Sequence, residues 1–187
     1  MNIIRCNWCE KDNVYREYHD KEWGKAVYDD NVIFEFLVLE SFQARLSWYT
    51  ILKKRENFRR AFDKFDYKRI ALYDSQKVEE LMTNRGIVRN RLKILATINN
   101  AQKFMEIQKE FGSFSKYIWD FVGGKPIINH PKSLKDIPAT SSISDTIAKD
   151  LKKRGFRFLG STVVYAYMQT TGMVNDHIVD CFCKNMK

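Results

Sequence analysis

Two cysteine–histidine pairs stand at opposite ends of this 187-residue chain: Cys6 with His19, and His177 with Cys181. Thiolates and imidazoles are the usual ligands of zinc, and a closed set of four makes a structural site. His177 and Cys181, four apart on a helix, would turn both side chains to one face. Other thiols compete. Cys6 and Cys9 form a C-x₂-C knuckle, and Cys181 with Cys183 supplies two more, so Cys₄ and Cys₂His₂ are evenly matched by spacing alone. A third reading has the cysteines as small buried apolar residues with no metal. Disulfides are not expected, because the chain has only four Cys and opens on no basic segment followed by an apolar run. That pattern predicts a reduced, cytoplasmic setting.

Glu40 is the second chemical candidate. It lies near the end of a segment from about Asp30 to Gln43 that carries Val32, Ile33, Phe34, Phe36, Leu37, Val38 and Leu39. A helix apolar on most sides sits inside a fold, so the carboxylate is carried inward with it. Burying an unpaired carboxylate costs several kcal/mol or drives it neutral. A satisfying N–H or Arg contact is the ordinary explanation; recognition of a cationic or amine-bearing ligand is the sharper one. Tyr18, Trp23 and Trp48, with Trp8 as a fourth, offer flat walls for such a ligand.

The elements that would position these groups read as helical almost throughout. Phe58, Phe62 and Phe65 recur at helical spacing, and Val78, Leu81 and Met82 mark a short helix ended by Gly86. Val88, Leu92, Leu95, Ile98, Ala101 and Met105 trace one stripe of a long helix. Phe111 to Val122 predicts another, broken at Gly123-Gly124. All three prolines fall between Gly124 and Ser141, a long loop in which His130 is expected to be solvated. Ser142 and Asp145 suggest a capping box that starts the next helix. Asn175 is placed as the cap of a final helix carrying His177 and Cys181. No period-2 strand is apparent, and the fold class is all-α. One domain over 1–187 is expected, and no apolar run approaches the ~18 residues that suggest a membrane span.

The charge balance of +9, with 14% aromatics, favours a polyanion partner with flat groups, although charge alone fits any basic protein. Residues 151–166 sharpen this. A helix, a glycine-bounded hairpin (Phe156 to Gly160) and a second helix from Ser161 present free N–H groups beside Lys152, Lys153, Arg154 and Arg157. Gly160, Ser161 and Thr162 would let a phosphate approach those amides. Such a device grips backbone without reading sequence. An ordinary αα-hairpin with solvated lysines is the plain alternative.

Several blocks together resemble the Tag-type 3-methyladenine DNA glycosylases of the helix–hairpin–helix superfamily, over nearly the whole chain. They are Cys6-x-Trp8, Tyr18-His19-Asp20-x-Glu22-Trp23-Gly24, Gln43-Ala44-x-Leu46-Ser47-Trp48 and Leu52 to Glu56, then Leu151 to Phe156 and Val174-Asn175-Asp176-His177. The resemblance implies a helix–hairpin–helix element over about 145–171 and a structural zinc on Cys6, His19, His177 and Cys181. That choice leaves out Cys9 and Cys183. It also implies base-excision repair: hydrolytic release of 3-methyladenine from double-stranded alkylated DNA, with the free base as product. Glu40 would be the catalytic, base-reading carboxylate, with Tyr18 assisting, Trp48 stacking, and Trp23 and Trp8 lining the pocket. Leu46 would be the wedge that fills the gap left by the flipped base.

Three local features qualify the resemblance. Bifunctional relatives carry a lysine just after the hairpin; here Ser161 and Thr162 follow Gly160, so strand cleavage is not expected. Many relatives have an aspartate ahead of the final helix, where the resemblance aligns Asn175 beside Asp176 in this chain, so Asp176 receives no catalytic role. Arg45, counted among the DNA-binding residues, replaces the usual glycine before the wedge, where it would either strengthen phosphate binding or block docking; activity is expected to survive because the base-reading and zinc residues are intact. A monomer is expected. Two readings compete with this one: a zinc-stapled helical DNA-binding module without chemistry, and the same chemistry on another alkylpurine.

Overall fold

The computed structural model describes residues 3–185. Its helices run in the order α1 (Asn13–Lys21), α2 (Asp30–Gln43), α3 (Trp48–Ala61), α4 (Tyr67–Ile70) and α5 (Ser75–Thr83). They continue as α6 (Arg91–Phe111), α7 (Phe114–Asp120), α8 (Ser142–Lys153) and α9 (Ser161–Thr170). Helix α2 is the axis. Asp29 caps it by accepting from the Asn31 and Val32 amides, and every residue from Ile33 to Phe42 is buried. The α3, α6, α7 and α9 helices pack around it. A helix covered on all sides has no solvent face to excuse a polar residue, so each of its acids needs a partner or a purpose.

Two acids of α2 have partners. Asp30 accepts from Gln108 Nε2 at 2.6 Å and from the Phe114 and Ser115 amides at 2.9 and 2.7 Å, which ties α2 to the end of α6 and the start of α7. Its charge there also suits the N-terminal end of α7. Glu35 accepts from Arg55 Nε at 2.6 Å and Arg59 Nε at 3.0 Å, while Arg55 also donates to Glu22 at 2.7 Å. A buried pair of this kind fixes the relative placement of α2 and α3 more than it adds net stability. Glu40 alone among the three is left facing a cavity.

Several expectations need correction. The core-facing stripe of α6 comprises Ile94, Thr97, Ala101, Phe104 and Ile107. Leu92 and Leu95 are 67% and 41% exposed, because Lys93 turns inward between them and its Nζ donates to the Phe42 and Ala44 carbonyls at the end of α2. Gly112, at φ +88°, stops α6 and Ser113 caps a shorter α7. The capping box before α8 is Ser141 with Ser144, one residue earlier than the sequence pattern suggested. A short parallel pair joins β1 (Ile127–Ile128) to β2 (Val174–Asn175), so the chain is mostly helical with one two-residue ladder.

The final helix does not form. Asn175 lies in β2, where its side-chain oxygen accepts from the His177 amide at 3.2 Å, a local bond that competes with helical pairing. Residues 176–181 are irregular with one turn at 179–180, where the Val179 amide donates to Pro131 O, and a 3₁₀ turn follows at Phe182–Asn185. Among the described residues no helix is long and apolar enough to cross a membrane.

The segment after α1 lies along the end of α9. Gly24 N donates to Gln169 O and Val27 N to Thr171 O, both at 3.0 Å. Gly172 sits at φ +70°, and a Cβ there would lie 2.2 Å from the Lys25 carbonyl carbon. Only glycine fits. Gly172→Ala is predicted to lower the free energy of unfolding by about 2–5 kcal/mol, from left-handed strain plus backbone overlap. Urea denaturation checks this, and a loss below about 0.5 kcal/mol would contradict the packing described.

Candidate active site

A cleft of about 260 Å³ opens between α1, the end of α2, the start of α3 and the end of α9. That is a little under the ~300 Å³ where drug-sized ligand pockets begin, and it suits one flat heterocycle. Its walls include Trp8, Tyr15, Tyr18, Trp23 and Trp48, with Glu40 and Gln43 from α2 and Ala166, Gln169 and Thr170 from α9. The expected residues Tyr18, Trp23, Trp48 and Trp8 are therefore brought together around Glu40. Tyr18 and Trp48 lie 5.3 Å apart at 46°, and Trp8 meets Trp23 edge-on at 5.0 Å.

Glu40 is 2% exposed. Its Oε1 accepts from the Thr170 hydroxyl at 2.8 Å, and Thr170 Oγ1 in turn accepts from Tyr18 Oη at 3.2 Å. The other carboxyl oxygen, Oε2, has no hydrogen-bond partner, nor do the buried Gln43 Oε1 and Trp48 Nε1. Three unpaired polar atoms converge on one aromatic cleft. This is the pattern of a site awaiting a polar, flat guest, since buried polar groups otherwise find partners. Thr170, Gln43 and Tyr15 were not singled out beforehand. Tyr15 had a signal, lying three residues from Tyr18 on one face of α1; Thr170, 130 positions from Glu40, had none.

The turn after α2 carries Arg45 and Leu46. Leu46 is 42% exposed, and its amide donates to Gln43 O at 2.6 Å. Arg45 adopts φ +67°, which explains in physical terms why glycine suits that position and makes arginine a strained occupant. A second cavity of about 180 Å³ runs from Arg45 and Leu46 to Glu40, with Thr162, Val163 and Ala166 of α9 as its other wall. The exposed leucine and the buried carboxyl thus share one channel.

On the far side of that channel, α8 and α9 are joined by a tight turn with Gly155 at φ +89° and Phe158 at φ +60°. Gly160 precedes α9 as its cap residue and offers no side-chain acceptor, so the first amides of α9 lack partners. Thr162 is exposed there, whereas the Ser161 hydroxyl is engaged by Ser144 and Asp145. Arg154 differs from expectation: Glu110 and Asp150 bind its guanidinium at 2.7 and 2.8 Å, leaving Lys152, Lys153 and Arg157 as the exposed cations.

Cys6, His19, His177 and Cys181 converge, with their ligand atoms all within 4.8 Å of one another and all four residues buried. Sγ–N separations are 3.6 Å for Cys6–His177, 3.5 Å for Cys181–His19 and 3.4 Å for Cys181–His177. A tetrahedral zinc with ordinary bond lengths has S···N edges of roughly 3.5 Å, so this donor set fits. The remaining ring nitrogens are held as ligand histidines usually are: His19 Nδ1 by Asp20 at 2.8 Å and His177 Nε2 by the Trp23 carbonyl at 3.1 Å. Cys6, His177 and His19 beside it hold the Cys181 sulfur on the thiolate side. Cys9 lies outside the group, and Cys183 lies 3.9 Å from His19 Nδ1 on the side already taken by Asp20.

Burial pushes the Glu40 carboxyl up from its ordinary 4.5 to about 8, against the lowering effect of the Thr170 hydroxyl. An acid whose folded value lies above its unfolded value holds a proton that the unfolded chain has lost. Stability therefore falls as pH rises from about 4.5 to about 8. Glu40→Gln removes this dependence. The stability difference between variant and parent is predicted to shift in the variant's favour by about 2–5 kcal/mol across that window. Parallel denaturation curves across the same pH range would contradict the sheltered carboxyl.

The pattern of the methyladenine glycosylase family matches residues 8–184. The chain is 45% identical to the DNA-3-methyladenine glycosylase of Haemophilus influenzae, covering 96% of this chain and 97% of that one. It is 44% identical to DNA-3-methyladenine glycosylase 1 of Escherichia coli, covering 96% of each. Among solved structures, a 3-methyladenine DNA glycosylase I superposes with a TM-score of 0.94 at 48% identity, covering 96% of this chain and 99% of that one. A variant of such an enzyme in complex with 3-methyladenine also gives 0.94, at 38% identity and 97% and 98% coverage. This chain belongs to the methyladenine glycosylase family.

Proposed function

We propose that this chain is a monofunctional DNA glycosylase that hydrolyses the N-glycosidic bond of 3-methyladenine in alkylated double-stranded DNA. One observation carries the reading: a fully buried carboxyl with one unpartnered oxygen, aimed into an aromatic cleft sized for one base. Methylation at N3 leaves the base formally positive, so a flipped 3-methyladenine brings the charge that a desolvated Glu40 lacks. A neutral adenine brings none, so the carboxyl stays protonated and gains no ion pair, which gives discrimination a physical basis. Trp48 and Tyr18 supply stacking faces, with Trp23 and Trp8 behind them.

The reaction asks little of the protein beyond this. The damaged base leaves with the bonding electron pair, which neutralises its charge, and the sugar becomes oxocarbenium-like. Water adds to the sugar carbon and loses a proton. Tyr18, raised well above its usual value by burial and then by Glu40, stays a neutral phenol and a hydrogen-bond donor. A damaged base is also the cheapest to unstack, and Leu46 is placed to fill its gap. Gly160, Ser161 and Thr162 offer backbone amides to a phosphate, with Arg45 nearer the wedge. Asp176 accepts from Tyr165, Gln169 and Asn129 and is assigned no catalytic role.

Cys6, His19, His177 and Cys181 would hold a structural zinc with no open position, joining the chain's two ends beside the cleft. Both named relatives are bacterial, and a DNA substrate places the work in the cytoplasm.

Chromatography of bases released from methylated DNA tests the function. The parent is expected to release 3-methyladenine, and Glu40→Gln to slow release on the order of 10²-fold or more. Salt-sensitive DNA binding with no released base would instead favour a phosphate-gripping module, and a different peak would name another alkylpurine. Elemental analysis should find one zinc per chain, with chelation or His177→Ala lowering Tm by about 10 °C. Metal-free protein with an unchanged Tm would refute the structural site.

A further inference from the structure

Lys93 is a buried lysine, 6% exposed, in the first turn of α6. Its position is electrostatically poor. The N-terminal end of a 21-residue helix repels a cation, burial removes its water, and Arg45 adds a like charge nearby. What it gains lies on another helix. Its Nζ donates to the carbonyls of Phe42 and Ala44, both at 2.8 Å. Helix α2 ends there with no basic residue in its own last turn and with Ala44 where a glycine or an amide cap often stands. The lysine is therefore a C-cap delivered in trans.

The capped carbonyls belong to the turn that carries Leu46. Gln43 O receives the Leu46 amide, Arg45 is held left-handed, and the leucine projects at the mouth of the channel leading to Glu40. An exposed apolar side chain on a strained turn has every reason to relax, by fraying the last turn of α2, unless its backbone is pinned. We propose that Lys93 is a positioning residue: it holds the Leu46 turn rigid so that the leucine enters the duplex as the base leaves. The proposal rests on the glycosylase reading above and adds to it the residue that makes the wedge stiff.

A double-mutant cycle on methylated duplex DNA tests it, with binding of free 3-methyladenine as the second readout. Lys93→Met removes two charge-assisted bonds while keeping the volume. It is expected to slow excision about tenfold, with free-base affinity within about twofold of the parent. In a Leu46→Ala background the same change should cost less than about threefold, because a missing wedge needs no support. Lys93→Arg, which keeps charge and donors, should be less impaired than Lys93→Met, and it carries the same comparison should Lys93→Met fail to fold. An undiminished penalty in the Leu46→Ala background, a parallel loss of free-base affinity, or no effect on excision would each overturn the role. Failure of the glycosylase reading looks different: the parent itself would release no 3-methyladenine.

Discussion

Glu40 is a carboxyl group taken out of water with one oxygen bound to Thr170 and the other bound to nothing. That imbalance is held in place by the rest of the fold. Its sign matters as much as its size. Desolvation keeps the group protonated near neutral pH, and only a positively charged or strongly donating guest makes ionisation inside the protein favourable. On the function proposed above, selectivity for an alkylated base over an intact one then needs no large contact surface. It follows from the cost of a charge with no partner and the relief of that cost by one ligand.

The scaffold can be understood as the means of keeping α2 where that imbalance persists. Asp29 and Asp30 fix its start, Glu35 fixes its middle against Arg55 and Arg59, and Lys93 fixes its end. Helix α9 approaches closely enough to lend Thr170, and Gly172 lets the chain after α1 lie against the end of that helix. The Cys/His cluster belongs to the same arrangement. Trp23 packs edge-on against His177 at 4.6 Å and Trp8 against His19 at 5.3 Å, so the back wall of the cleft is also the wall of the cluster. Gly24 allows this proximity, since a Cβ there would sit 3.0 Å from His177 Nε2.

Much of this was readable from residue types. The apolar run of α2, interrupted before Glu40 only by Glu35, required Glu40 to be buried, and the aromatic residues around it were identifiable as wall material. The α8–turn–α9 unit was visible from its glycines and lysines. Other features depended on long-range contact. Leucines at 92 and 95 suggested a core stripe, yet the carbonyls of α2 drew Lys93 inward and left both outside. His177 and Cys181 have helical spacing, but Asn175 and the β2 ladder hold the start of that segment extended, and the two side chains meet through a turn. Spacing could not choose between Cys₄ and Cys₂His₂; resemblance chose, and the convergence of Cys6, His19, His177 and Cys181 agrees with it. Thr170 and Gln43 became visible only when α2 and α9 were seen side by side.

The most direct measurement is a site-resolved carbon NMR titration of the Glu40 carboxyl in the ligand-free protein. The account predicts a midpoint near 8, well above the ordinary 4.5. A midpoint close to 4.5 would mean that the group is solvated or already paired, and that the recognition derived from its isolation is wrong.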